Sequence, residues 1–245
     1  MCEIEGKTLK RVLDIVSAVS DAAALEPFGD QEGYTARLTV LSGNRAQAVS
    51  VFFKDIEVKE VVGIPVLGIK TAIGYLLDED EVSMGIGEHW LSIRGTNWEY
   101  STYLIDPTYI MRLKTPIPPK GAAEVVTAGK TILRSIEAAR AIDADAVKFR
   151  VTKDVLIVQA KGHGRKASSE EFFETHISKD ELAGLSLDGE PFEVSFNPLL
   201  IEPLFKLHKK DTVTVWLDKE KPMSIHFELS DSIKGWYMIA SLAGD

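Results

Sequence analysis

Gly129-Lys130-Thr131 has the residue types that end a phosphate-binding loop, where backbone N–H groups wrap a phosphate and a lysine reaches toward it. That chemistry needs another glycine five residues ahead, and position 124 is Glu. The same tripeptide stands at Gly6-Lys7-Thr8, where the chain has no room upstream for such a loop. Neither copy is therefore read as a nucleotide site. His89, His163, His176, His208 and His226 lack metal-ligand spacing, so each is expected on the surface or on a strand face. No Gly-x-Ser-x-Gly elbow supplies a nucleophile. Glu79-Asp80-Glu81 reads as a solvated turn between helix and strand, with a weak metal contact as the alternative. The one cysteine, Cys2, allows neither an internal disulfide nor a cysteine-rich zinc site. A chain without enzymatic chemistry, cofactor or bound metal is expected.

The repeated Gly-Lys-Thr instead marks an architecture. Each copy opens a helix behind a short apolar strand, and three strands follow, a unit that recurs four times. The first covers about 1–54, with Leu9, Val12, Leu13, Val16 and Val19 at helical spacing. The second, 55–106, starts with a strand at Ile56–Val61 and a helix over 66–78 that turns Ile69, Ile73 and Leu76 inward. The third, 121–177, holds a helix over 128–142, and the fourth, 190–241, one over 197–210. In the last, Asn197 is the expected N-cap, Pro198 the first helical residue, and Pro203 an expected kink or early irregular turn. The strands outnumber the helices and alternate apolar with polar residues. The fold class is therefore α+β, with antiparallel sheets covered by helices on one face. Two similar domains, 1–106 and 121–245, flank a connector at 107–120 rich in proline. The connector also holds Tyr109, Ile110, Met111, Leu113 and Ile117. It reads either as a linker pinned to the domain surface or as one wall of a binding groove.

The net charge is −9, which argues against indiscriminate coating of nucleic acid. Its distribution is uneven. The four predicted helices hold Lys7, Lys10, Arg11, Lys70, Lys130, Arg134, Arg140, Lys206, Lys209 and Lys210 against Asp14, Asp78, Glu137 and Glu202. They net +6 and leave −15 on the rest of the chain. Helices lining one surface would attract phosphates without reading sequence, in a salt-dependent way. Gly162-His163-Gly164-Arg165-Lys166 reads as a solvated basic turn, with DNA contact the weaker alternative. No apolar run is long enough to span a bilayer, and the first residues lack a signal-peptide pattern, so a cytoplasmic, nucleoid-associated protein is expected.

Phe192-Glu193-Val194-Ser195-Phe196-Asn197, Lys221-Pro222-Met223 and Tyr237-Met238-Ile239-Ala240 resemble the C-terminal half-domain of PCNA-type DNA sliding clamps, archaeal in style. Tyr103-Leu104-Ile105-Asp106 at the connector's entry and Ile117-Pro118 at its exit extend the likeness over the whole chain. The resemblance implies a DNA-clamp fold with sheets outside and helices inside, closed as a homotrimeric ring around duplex DNA. It implies a processivity factor for DNA replication and repair, with the ten helix cations as the DNA-facing set. Edge strands about Trp98–Leu104 and Ser168–Glu174 would join subunits, through Trp98, Tyr100, Thr102, Leu104, Ser169, Glu171, Phe172 and Phe173. DNA polymerase, clamp loader, flap nuclease and ligase would dock short peptides on Leu41, Arg45, Ala46, Ala48, Leu113, Ile117 and Pro118. Pro222, Ile239, Ala240, Ser241, Leu242 and Ala243 would complete that pocket. The chain departs from the family in Ser241, where proline is usual, and in the 41–45 loop; the missing proline predicts a looser tail. A heterotrimeric or checkpoint-type clamp subunit, or a diverged paralogue, is the alternative.

Overall fold

The computed structural model describes residues 2–78, 81–114, 118–162 and 170–242. By its internal contacts the chain divides into two compact units. Residues 1–116 with 228–236 form the first, and 117–227 with 237–245 the second. This division differs from a separate connector at 107–120, since Pro107–Lys114 counts with the first unit.

In the first unit the order is β1 (Cys2–Glu5), α1 (Gly6–Ser17), β2 (Ala23–Pro27), β3 (Ala36–Leu41) and β4 (Gln47–Phe53). Then come β5 (Val62–Ile64), α2 (Val66–Ile73), β6 (Glu81–Ile86), β7 (Trp90–Arg94) and β8 (Glu99–Tyr103). One antiparallel sheet runs β1-β6-β7-β8, and β5-β2-β3-β4 are neighbours in another. The α1 stripe buries Leu9, Val12, Leu13 and Val16, as the helical spacing requires. Three expectations shift. Residues 56–61 form no strand; the ladder begins at Val62, because Leu25 pairs with Val62 and Ala23 with Ile64. The second helix stops at Ile73, where a side chain on Gly74 would lie 2.4 Å from the Lys70 carbonyl oxygen. Beyond it Leu77, four residues after Ile73, is the fully buried residue, and Leu76 is only half-buried.

The second unit repeats the order as β9 (Ala123–Ala128), α3 (Gly129–Ala141), β10 (Ala144–Val151), β11 (Val155–Gly162), β12 (Glu171–Ser178) and β13 (Gly184–Leu187). It closes with β14 (Phe192–Phe196), α4 (Pro198–Leu207), β15 (Thr212–Leu217), β16 (Met223–Ser230) and β17 (Ile233–Ile239), the tip of the last hairpin belonging to the first unit. One sheet runs β12-β11-β10-β14, and β13-β9-β15-β16-β17 are neighbours in another. The short β13, absent from the expected plan, adds an edge to β9 through Leu185↔Val125. Asn197 caps α4 as expected, its Oδ1 accepting from the Leu199 N–H at 2.9 Å. The helix runs through Pro203 to Leu207 with no irregular turn. The proline removes only the bond to the carbonyl of Leu199, itself an exposed residue.

The repeated glycine has a packing role. A Cβ on Gly129 would stand 2.2 Å from the His208 carbonyl oxygen, while its N–H donates to the Asp211 carbonyl at 2.9 Å. The start of α3 thus abuts the end of α4 at backbone distance, which only glycine permits. His208 departs from its expected surface position. It is fully buried, stacked on Phe227 at 4.5 Å and edge-on to Tyr237, with Nδ1 2.9 Å from Asp211 Oδ2. The spacing of Ile201, Leu204, Phe205 and His208 continues the buried stripe of α4, and that signal was available in the sequence.

Candidate interaction surfaces

The helix cations sort into two groups. Lys10 pairs with Asp78 at 2.6 Å and Lys70 with Asp14 at 2.8 Å. On α4, Glu202 takes Lys206 at 2.7 Å and, from α3, Arg140 at 3.3 Å. The Lys206 hydrogen bond, aided by Arg140 and opposed by burial, holds the Glu202 carboxyl below its ordinary range. Lys7, Lys130, Arg134, Lys209 and Lys210 are exposed and make no ion pair among the described residues. Arg11 on α1 is half-buried. Lys209, Lys210 and Asp78 lie beyond the helix ends observed here. The cations free to meet phosphate are thus fewer than the sequence count.

Each four-stranded sheet leaves the expected strands at its edge, β8 in the first unit and β12 in the second. On β8 the side chains of Tyr100 and Thr102 are half-buried and face with Ile93 and Leu91, so they belong partly to the core. Beside β8 the exposed aromatic surface comes from Trp90 and Tyr103, which are not in the expected interface set. Trp90 and Tyr103 are register partners whose rings lie 3.7 Å apart, and Tyr103 is 65% exposed. On β12, Phe172 is 67% exposed beside half-buried Phe173 and exposed Glu171. Glu174 on that strand hydrogen-bonds His176 at 2.6 Å and Gln159, and these two, His176 first, lower its pKa.

The residues named for peptide docking separate by unit. In the first, Ser42 and Asn44 close the turn after Leu41, and exposed Arg45 adopts a left-handed φ of 59°. Ala46 is half-buried, whereas Ala48 is buried in β4 and leaves no side-chain surface for a ligand. The Leu41 N–H donates to the Met111 carbonyl at 2.9 Å, which lays the chain of Met111–Leu113 beside the end of β3. An ionic cluster fastens it. Buried Arg37 binds Glu26 and reaches the Leu113 carbonyl at 3.3 Å, while Arg112 reaches Glu26 Oε2 at 3.1 Å.

In the second unit, Pro118 and Pro222 line a recess of about 80 Å³ together with Trp216, Ser224 and Met238. Trp216 is fixed there by its N–H to Glu124 Oε2 at 3.0 Å and by ring contact with His226 at 3.9 Å. Trp216 and Met238 alternate with buried residues along their strands, and that period-two signal could have found them. Ile239 points into the core, fully buried, and Ala240 is exposed. The tail is held rather than loose at half-buried Ser241, since the Leu242 N–H donates to the Ser195 carbonyl at 2.8 Å. Ile117, Ser169 and Ala243 lie outside the described residues, as do Glu79, Asp80, Ser168 and residues 163–166. No group of three potential metal ligands gathers among the described residues, and no described helix is long and apolar enough to cross a membrane.

Solved structures carry the same chain path from end to end. The chain aligns with the PCNA of A. fulgidus, solved with the C-terminal region of FEN-1 bound, at TM-score 0.82 and 22% identity, covering 100% of this chain and 98% of that one. The chain has the PCNA clamp fold. PCNA from Thermococcus kodakaraensis matches at TM-score 0.80 and 15% identity, covering 99% of this chain and 100% of that one. PCNA from Entamoeba histolytica matches at 0.78 and 16%, with 99% and 100% covered. No family model matches the sequence, and no curated protein does. At these identities the clamp fold survives in burial pattern and strand order, below what residue-by-residue comparison detects.

Proposed function

We propose that this protein is a DNA sliding clamp, a non-enzymatic ring of three copies that encircles duplex DNA and holds polymerases and other replication or repair proteins on it. The observation that carries the reading is the full-length match to PCNA structures at TM-scores of 0.78–0.82. Ring closure would pair the open edge β8 of one copy with β12 of the next, removing two unpaired edges at once. The aromatic residues Trp90, Tyr103 and Phe172 would then leave water, which accounts for their exposure in a single chain.

The cations Lys7, Lys130, Arg134 and Lys210 would face the DNA backbone. A closed ring needs no tight pairwise contact, so a few unpaired cations suffice and an acidic outer surface is tolerated. The A. fulgidus protein was solved with a C-terminal segment of FEN-1 bound. By analogy, short partner peptides would dock in this chain too, with the Pro118–Trp216–Pro222–Met238 recess taking an apolar anchor.

The test is primer extension on a singly primed circular template with a cognate polymerase and loader. Long products should appear only when the protein is added. Replacing Lys7, Lys130, Arg134 and Lys210 by Ala should abolish most of the gain while leaving the melting temperature close to that of the parent. Extension by the parent protein no longer than by polymerase alone would sink the clamp reading.

A further inference from the structure

A second recess, of about 550 Å³, opens in the first unit, remote in sequence from the helix cations and from the Trp216 recess. One wall is the segment Asp55–Glu60, which follows β4 and joins no sheet, with bends at Asp55, Lys59 and Glu60. Its side chains alternate. Ile56 and Val58 turn inward, 3% and 9% exposed, while Asp55, Glu57 and Lys59 stay in water. Among the described residues the N–H groups of Glu57, Val58, Lys59 and Glu60 donate to no main-chain carbonyl. These four amides have no main-chain acceptor of their own and can take one from a ligand.

The opposite wall is the end of β6. Among the described residues the β1 ladder covers Glu81–Met84, so Ile86 extends past it. Half-buried Met84 and Ile86 share a face with Ile93 and Leu91, each 1% exposed, and form an apolar floor continuous with the core. Around this floor stand Asp55, Glu57, Glu60 and Glu88 against a single cation, Lys59. Asp55, Glu57 and Glu60 make no ion pair among the described residues, and Glu88 meets only His89, at 3.8 Å.

We propose that this recess docks an extended, lysine- or arginine-rich segment of a partner protein whose alternate residues are aliphatic. Period-two alternation would send its apolar side chains to Met84 and Ile86 and its cations to the acidic rim. Its backbone would meet the unpaired amides of Glu57–Glu60, as in strand addition. Charge decides the class of occupant: the rim repels nucleic acid and acidic peptides and attracts cations without a built metal site. The lining residues lie outside β8 and β12.

Fluorescence anisotropy of the full-length protein with a fluorescein-labelled hexapeptide alternating lysine and leucine tests this. The triple variant Glu57→Gln, Glu60→Gln and Glu88→Gln should bind about tenfold or more weakly. A lysine–serine alternating hexapeptide should lose about as much, because the floor then has no ligand. The milder Ile86→Ala variant, with its melt recorded, should weaken the leucine peptide and leave the serine peptide unchanged. Equal binding by the triple variant, or by the serine peptide, would show diffuse charge attraction and overturn the site. Recording the solution mass of each sample separates failure of this site from failure of the ring.

Discussion

Glu202 restrains two of the cations that the charge count assigns to the DNA-facing set, Lys206 on its own helix and Arg140 on the neighbouring one. Its pKa is lowered from the 4.5 of an unperturbed glutamate, first by the Lys206 hydrogen bond. A depressed carboxylate adds stability that is full above the unfolded value and lost as pH falls through the folded one. Replacing Glu202 by Gln should therefore cost about 1 kcal/mol at pH 7, with the difference from the parent shrinking in denaturant melts as pH falls below 4.5. The same change frees Lys206 and Arg140, so DNA association at low salt should tighten with a steeper salt dependence. At Gly129 the prediction is steric. Gly129→Ala drives a methyl group against the His208 carbonyl and should lower stability by about 1–3 kcal/mol, read from the urea midpoint.

At the scale of elements, strand–helix–three-strand order was legible because each period is short and amphipathic. Alternating residues such as Ala36–Leu41 and the α1 stripe declare their geometry locally. The failures fall where local pattern and partner disagree. Ile56 and Val58 alternate like a strand but find no ladder, and α2 ends at Ile73 although its apolar period continues to Leu77. The edge strands make a separate prediction. Tyr103→Lys or Phe172→Asp places a charge on the edge proposed to close the ring, at a position exposed in the single chain. Each change should shift sedimentation from the assembled species toward monomer at micromolar protein while leaving the thermal melt of the monomer nearly unaltered. Undiminished assembly in both would mean that other surfaces join the subunits.

For the whole molecule, the proposed ring fixes a mass. Light scattering of the purified chain should give three times its 27.0 kDa, and a monomer throughout the micromolar range would count for a heteromeric ring. The sequence by itself determined the fourfold repeat, the α+β class and the segregation of basic helices from an acidic remainder. These depend on the period of apolar residues and on counted charges, both properties of the one-dimensional chain. Only the tertiary structure decided which cations remain unpaired and why the repeated glycine is glycine. It also brought Trp216 and Met238 beside Pro118, and set an acidic rim around Met84 and Ile86. Those outcomes depend on residues far apart in sequence meeting at a few ångströms, such as Lys10 with Asp78 or Arg140 with Glu202. The Gly-Lys-Thr residue types fit a phosphate loop or a helix start alike, and the backbone packed against Gly129 is what separates the two.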